Sequence, residues 1–296
     1  MAEIIYRHPD VIDFSVNTNP LGTPESVKRA VQESVAKIEH YPDVRCEALR
    51  EAISRFEQVN MEEILCGNGA AELFFAAVQA VWPQKALVIA PSFSEYEEAL
   101  RSVGAEVEYY YLCEEDNFQI RGDYVDKLSE EIDMIFLCNP NNPTGQTIDR
   151  DMLIKILDRC KKQNIVVILD ECFLEFLDEP NRYEMSDLRG EYPNLLIIKA
   201  FTKIFSMPGL RLGYAISSNQ DILEEMSWKL QQWNVSVPAQ MAGVAALEKP
   251  KEYIRQTREY VSGQREYMRN IMKMMGYVVF ASKSQIICFF KGRPGL

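Results

Sequence analysis

Histidine is nearly absent from this chain: His8 and His40 are the two in 296 residues. A histidine-based metal site or a Ser-His-Asp triad therefore has almost nothing to work with. No apolar run reaches the roughly 18 residues that a membrane span needs, so none is expected. The opening MAEIIYRHPD lacks the apolar core of a secretory signal. The seven cysteines, at 46, 66, 113, 138, 160, 172 and 288, form no CxxC pair. An odd, scattered set of this kind reads as reduced thiols of a cytoplasmic protein. Basic excess is missing too. The net charge of −12 opposes nucleic-acid binding, which needs a basic footprint. Repeats and low-complexity tracts are also lacking. Any chemistry must then use Lys, Asp, Arg, Tyr or a borrowed cofactor.

What is present is an ordinary globular composition, 47% hydrophobic and 26% charged. A chain of this length suits one large or two unequal domains. Short apolar runs at 64–66, 86–90, 107–112, 134–138, 165–169 and 195–198 read as strands. Helical patterns separate several of them: GNGAAELFFAAVQAVW, SFSEYEEALRSVG, and Asp149 to Lys162 with Leu153, Ile156, Leu157 and Cys160 on one face. This predicts an α/β fold with a mostly parallel sheet covered on both faces. From Asp221 onward the pattern becomes three helices and then two strands in GYVVFASKSQIICFFKG. A domain change is therefore expected near residue 248. That gives a large domain over 40–248 and a smaller α+β part built from 1–39 and 249–296.

In an open parallel sheet, ligands bind outside the carboxyl ends of the strands. After MIFLC comes NPNNPTG, with Asn139, Asn141, Asn142 and Thr144. Asp170 and Glu171 follow IVVIL, and Thr202 and Lys203 follow NLLIIKAF. After ILC comes the turn Gly67-Asn68-Gly69. Each has a plain structural alternative: a strand-end Asp is often a turn former, and Asn-Pro pairs favour rigid loops. GNGAAE lacks the third glycine of a dinucleotide fingerprint, having Glu72 there, so that reading is rejected. A Gly-Asn-Gly turn opening a helix still offers free N–H groups to a phosphate. Lys203 lies among Phe201, Ile204, Phe205 and Met207, with no carboxylate nearby in sequence. Apolar surroundings favour a neutral amine, the form that captures an aldehyde. Pyridoxal phosphate brings such an aldehyde and also needs a carboxylate at its ring nitrogen and a phosphate cradle. Asp170, the glycine turn and Arg211, which can clamp phosphate bidentately, are the required types.

With GNGAAE, PSFSEY, CNPNNPTG, LDECF and FTKIFSMPGLRLGY in this order, the chain resembles the class I/II aminotransferases of pyridoxal-phosphate fold type I. The resemblance runs from Asp13 to about Gly292. Within that family, DFSVNTNPLGTPESV and HYPDVRCEALREAI are similar to the threonine-phosphate decarboxylase and histidinol-phosphate aminotransferase branches. The resemblance implies pyridoxal 5'-phosphate as cofactor, with Lys203 as its Schiff-base lysine and proton shuttle. Asp170 is implied as partner of the pyridine nitrogen and Asn142 of the phenolic oxygen. Gly69, Ala70, Ala71, Thr202 and Arg211 are implied at the phosphate, and Phe93 as the aromatic stacked on the ring. Tyr41 matches a tyrosine that reaches the neighbouring subunit's phosphate, which implies a homodimer. Asn19 matches a substrate-contacting segment.

Three departures bear on activity. Phe173 stands where histidinol-phosphate aminotransferases carry Tyr, so the bond from that hydroxyl is lost, as in the decarboxylase branch. Ala200 stands where many relatives have Ser or Thr. The chain stops at GRPGL, before the segment in which relatives carry an arginine for the substrate carboxylate, so the smaller domain is expected to be incomplete. The expected function is an enzyme acting at Cα of a small, phosphorylated amino acid or amine. Decarboxylation of a threonine phosphate type is preferred. Histidinol phosphate transamination with 2-oxoglutarate, or cofactor binding without turnover, are the alternatives. No metal, nucleic acid or membrane partner is expected.

Overall fold

The computed structural model describes residues 16–280, 282 and 290–292. Seven strands form the central sheet: β1 (Ile64–Gly67), β2 (Lys85–Ala90), β3 (Glu106–Tyr111), β4 (Met134–Cys138), β5 (Val166–Asp170), β6 (Leu195–Ala200) and β7 (Gly213–Ile216). Their order is β1-β7-β6-β5-β4-β2-β3. β6, β5, β4, β2 and β3 run parallel, while β7 is antiparallel to both β1 and β6. The sheet is thus the expected mostly parallel one. The reversed strand, GYAI, was not anticipated, because four residues carry no periodicity to read.

β4, β5 and β6 are buried almost throughout. Their runs of β-branched and aliphatic residues follow from cover on both faces. Alternation then sorts the side chains. Met134, Phe136, Cys138, Ile168, Leu196 and Ile198 face one core cluster. Ile135, Leu137, Val167, Leu169, Leu195 and Ile197 face the other. Each fully buried side chain of this kind contributes about 1.5–3 kcal/mol. Asp170 and Ala200 fall on the first face, Glu171 and Lys199 on the second.

The first face is covered by α3 (Ala70–Val81), α4 (Glu95–Ser102) and α7 (Gln220–Lys229), through Leu73, Phe74, Tyr96, Leu100, Leu223 and Met226. The second is covered by α2 (Glu47–Glu57) and α5 (Arg150–Gln163), through Leu49, Ile53, Leu153, Ile156 and Leu157. A short helix, α6 (Phe201–Ile204), follows β6 directly.

α1 (Glu25–Ser34) packs on α8 (Val237–Leu247), while the loop before it is tied to α9 (Pro250–Met274). Asn19 Nδ2 donates to Thr257 Oγ1 at 2.7 Å, and Tyr253 O–H donates to the Gly22 carbonyl at 2.5 Å. The N-terminal stretch therefore touches both sides of the boundary expected near residue 248. Beyond α9, β8 (Val278–Val279) pairs antiparallel with β9 (Phe290–Lys291). Except for Phe290, the strand expected over 285–290 lies outside the described residues, as do Asp13 and Cys288. Among the described residues, no helix is long and apolar enough to cross a membrane.

Candidate active site

The C-terminal ends of β4, β5 and β6 and the turn after β1 open on one pocket. Asp170, Lys203, Asn142, Ala70, Ala71, Phe93, Thr202 and Arg211 line it together, with Phe74, Cys172, Phe173 and Ala200. Residues separated by more than 140 positions in sequence thus converge on one rim.

Asp170 ends β5 and is 5% exposed. Its Oδ1 accepts the Cys172 backbone N–H at 2.9 Å, and its Oδ2 accepts the Tyr96 hydroxyl at 2.5 Å. Burial pushes the Asp170 carboxyl above its ordinary value. Hydrogen bonds from Cys172 and Tyr96 and the charge of Lys203 pull the other way. Tyr96 itself is wedged between a stacked Phe136 and the edges of Phe74 and Phe93. Sequence reasoning singled out Phe93 in PSFSEY and passed over Tyr96. Its signal was present in the position one helical turn further on.

Lys203 sits in α6, immediately beyond β6. Its Nζ donates to Asn17 Oδ1 at 2.7 Å and lies 5.7 Å from the Phe173 ring centroid. Burial, helped by Arg211, holds the Lys203 amine below the ordinary lysine value against the pull of Cys172 and Asp170. The expected substrate contact, Asn19, is placed differently. It is 2% exposed, and its Nδ2 bonds the Ile204 carbonyl and Thr257 Oγ1, both at 2.7 Å. Its Oδ1 accepts the Leu21 N–H, and its own N–H bonds the Lys203 carbonyl at 3.1 Å. Asn19 therefore braces the lysine segment from behind, and its side chain is fully engaged. Asn17, two residues earlier, is the one that reaches the amine.

The turn between β1 and α3 forms a cradle. Gly69 has a positive φ of 89°, which a side chain rarely adopts. An added Cβ there would lie 2.8 Å from Arg211 Nη2, and one on Gly213 would lie 2.7 Å from the Ala70 nitrogen. Backbone and guanidinium approach this closely only because both residues lack Cβ. Ala70 and Ala71 open a 12-residue helix with no side-chain cap, so their N–H groups are among those with no intrahelical partner. Glu72, at the missing third glycine, accepts the Asn68 N–H at 2.6 Å and the Asn234 amide at 2.6 Å.

NPNNPTG combines both readings offered for it. Asn139 accepts the Ile148 N–H at 2.9 Å. Asn141 donates to Thr144 Oγ1 at 2.8 Å and to the Pro91 carbonyl at 3.1 Å. These three make the loop rigid and fix it to the segment that bears Phe93. Asn142 alone faces the pocket.

The group implied by this donor set fits it. An anion-binding helix start with an arginine, a lysine whose charged form burial disfavours, a buried carboxylate and an aromatic lining one pocket are the requirements of pyridoxal 5'-phosphate. Tyr41 is not part of the pocket. It is 78% exposed and lies against Trp233, with ring centroids 4.4 Å apart.

The family model for aminotransferase class I and II matches residues 9–295. Over 248 residues the chain is 38% identical to threonine-phosphate decarboxylase of Salmonella typhimurium, covering 83% of this chain and 68% of that protein. It is 34% identical to histidinol-phosphate aminotransferase of Desulfitobacterium hafniense, over 95% of this chain and 78% of that one. The crystal structure of the histidinol-phosphate aminotransferase from Clostridium acetobutylicum superposes with a TM-score of 0.85 at 31% identity. It covers 93% of this chain and 81% of that structure.

Proposed function

Because the chain belongs to the class I and II aminotransferase family, we propose that it decarboxylates a small phosphorylated amino acid, with threonine phosphate as the best candidate. It is an enzyme of pyridoxal-phosphate fold type I, and pyridoxal 5'-phosphate is its cofactor. The observation that carries the site assignment is the meeting of Lys203, Asp170, Asn142, Arg211 and the start of α3 on one pocket.

When bound, the cofactor supplies an aldehyde carbon that an amine captures and a ring that accepts the electron pair released at Cα. Ala70 and Ala71 N–H groups and Arg211 hold the phosphate at the positive end of α3. Asp170, its carboxylate held in place by the Cys172 and Tyr96 bonds, would keep a proton on the ring nitrogen. Asn142 donates to the phenolic oxygen. Phe93 and Phe173 shield the ring from water. Lys203 Nζ, whose charged form burial disfavours and whose position Asn17 holds, would take the aldehyde and move a proton at Cα.

Phe173 supports decarboxylation over transamination. It is 4% exposed and offers no hydroxyl to the cofactor's oxygen. The relative at 38% identity supports the same choice. The structural likeness to a histidinol-phosphate aminotransferase favours the second reading, transamination of histidinol phosphate with 2-oxoglutarate. Incubation with threonine phosphate, and separately with histidinol phosphate plus 2-oxoglutarate, separates the two. Loss of CO2 from the first is expected; glutamate from the second pair alone reverses the order.

We further propose a homodimer in which Tyr41 serves the neighbouring site. The exposure of Tyr41, Trp233, Ile38 and Val44 along one surface supports it, since isolated chains rarely display such a group.

A further inference from the structure

Behind the pocket, on the other face of the sheet, lies a small second cavity of about 20 Å³, with room for about one water. Cys172 and Ala200 are the wall that the two share. Strand alternation puts Glu171 and Lys199 on this side, back to back with Asp170 and Ala200. Lys199 Nζ lies 2.7 Å from Glu57, 3.6 Å from Glu184, and 3.8 Å from both Glu171 and Glu175. Glu57 also accepts the Tyr214 hydroxyl. Arg258, from α9, reaches in. Its Nε donates to the Glu175 carbonyl at 2.7 Å and its Nη2 to the Glu175 carboxylate at 3.1 Å.

Four carboxylates therefore share two cations in a region where Lys199 is 3% and Glu171 1% exposed. Neither Glu171 oxygen has a well-formed hydrogen bond, and the Met185 backbone N–H is a minor aid to its charged form. An ionised carboxylate in that position carries a desolvation cost of several kcal/mol, offset by a lysine already committed to Glu57 and, more weakly, by the Met185 backbone N–H. A proton removes both the cost and the excess charge. The charged and titratable groups around Glu171 are Lys199 from β6, Glu57 from α2, Tyr214 from β7 and Arg258 from α9. Glu175, Glu184 and Cys172 complete the set from the segment after β5.

We propose that Glu171 is a neutral carboxylic acid in the native protein and acts as an alkali-sensitive latch, whose ionisation loosens the Arg258–Glu175 strap joining α9 to the floor of the active site. Ionised Glu171 draws Lys199 away from Glu175 and Glu184 and repels both. These are the partly exposed members, 20% and 27% at their side chains, and can turn to water. The strap then loses its carboxylate acceptor and is held by the Glu175 carbonyl alone. Burial, opposed by Lys199 and reinforced by Glu184 and Glu57, pushes the Glu171 carboxyl up to about 8. The folded chain thus holds a proton that the unfolded chain releases at the ordinary glutamate value. The stability this gives is full below that value and drains away as pH rises through about 8.

The test compares full-length wild type with Glu171→Gln by urea unfolding from about pH 5 to about pH 9. The wild-type unfolding constant should climb more steeply than that of the variant, by up to about tenfold per pH unit below about pH 8. Amide exchange across residues 250–261 should accelerate with pH beyond the intrinsic base-catalysed rate in wild type and not in E171Q. Parallel stability slopes overturn the neutral acid, and equal exchange in the two proteins overturns the latch. Should E171Q fail to fold, infrared spectra of wild type and Asp170→Asn decide the matter. A protonated-carboxyl band that survives in D170N at neutral pH and bleaches near pH 8 supports the proposal; its absence defeats it.

Discussion

Tyr96→Phe removes one oxygen from a fully buried ring and leaves its packing on Phe74 and Phe136 unchanged. That oxygen donates to Asp170 Oδ2 at 2.5 Å. A hydrogen bond to a buried charged group contributes about 1.5–3 kcal/mol, which at this chain length corresponds to roughly 3–10 °C in Tm. The effect depends on pH, and its sign is fixed. Burial already raises the Asp170 carboxyl, so the stability due to its proton is full below the ordinary aspartate value and lost as pH rises through the folded one. Loss of the Tyr96 donor raises that carboxyl further, so the variant loses more. The gap between wild type and Y96F should be small below the ordinary aspartate value and widen as pH rises through the raised one. Thermal unfolding of the cofactor-free chains across that range measures it. A gap of equal size at both ends would mean that Tyr96 acts through packing, and no gap at all would mean that its bond to Asp170 contributes nothing. Cofactor affinity supplies a second reading, since a carboxylate that holds its own proton is a poorer partner for a protonated ring nitrogen. Y96F should bind pyridoxal phosphate more weakly, while Phe93→Leu, which leaves the carboxylate untouched, should retain the normal pH profile.

Borohydride reduction of the loaded protein should fix the cofactor to the peptide bearing Lys203; an unmodified peptide would falsify the assignment of the amine. Gly213→Ala puts a Cβ 2.7 Å from the Ala70 nitrogen and 2.9 Å from the Gly69 carbonyl carbon, both backbone. A cost of about 1–3 kcal/mol is expected in cofactor binding, and unaltered fluorescence titration would show the cradle to be looser than described. Lys203→Ala and Tyr41→Ala should each be inactive alone. Mixed and refolded together they should recover about a quarter of the wild-type activity, because one site in each hybrid pair is intact. No recovery would remove Tyr41 from the neighbouring site.

Much of the site was legible because strand ends in a parallel sheet collect on one rim. Reading which polar residues follow MIFLC, IVVIL and NLLIIKAF brought Asn142, Asp170 and Lys203 into a short set of candidates, and the family resemblance singled out Asn142 within NPNNPTG. Reading which of two neighbours faces the ligand was harder. NTN offers Asn17 and Asn19, and only the packing of that loop between α9 and the lysine segment decides that Asn19 is consumed as a brace. Asp170 and Glu171 both follow IVVIL and read alike in sequence, although the two-residue period sends them to opposite faces. The cluster around Lys199 draws on α2, β6, β7 and α9. No local pattern reveals such a group, since each of its charges looks solvated in its own segment. β7 escaped for a related reason: a reversed four-residue strand is defined by its neighbours.

That reversed strand sets a length. Ala200 and Gly213 are paired across β6 and β7, and the Phe201 N–H bonds the Leu212 carbonyl at 3.2 Å, so residues 201–212 leave the sheet and return at one point. Lys203 near the start and Arg211 near the end of this excursion are the two arms of one clasp, closed at its hinge by the sheet. The span between the two groups proposed to hold the two ends of the cofactor is then a property of how many residues lie between Ile204 and Leu210. Swapping side chains there leaves the grip intact; adding or deleting a single residue moves one arm against the other.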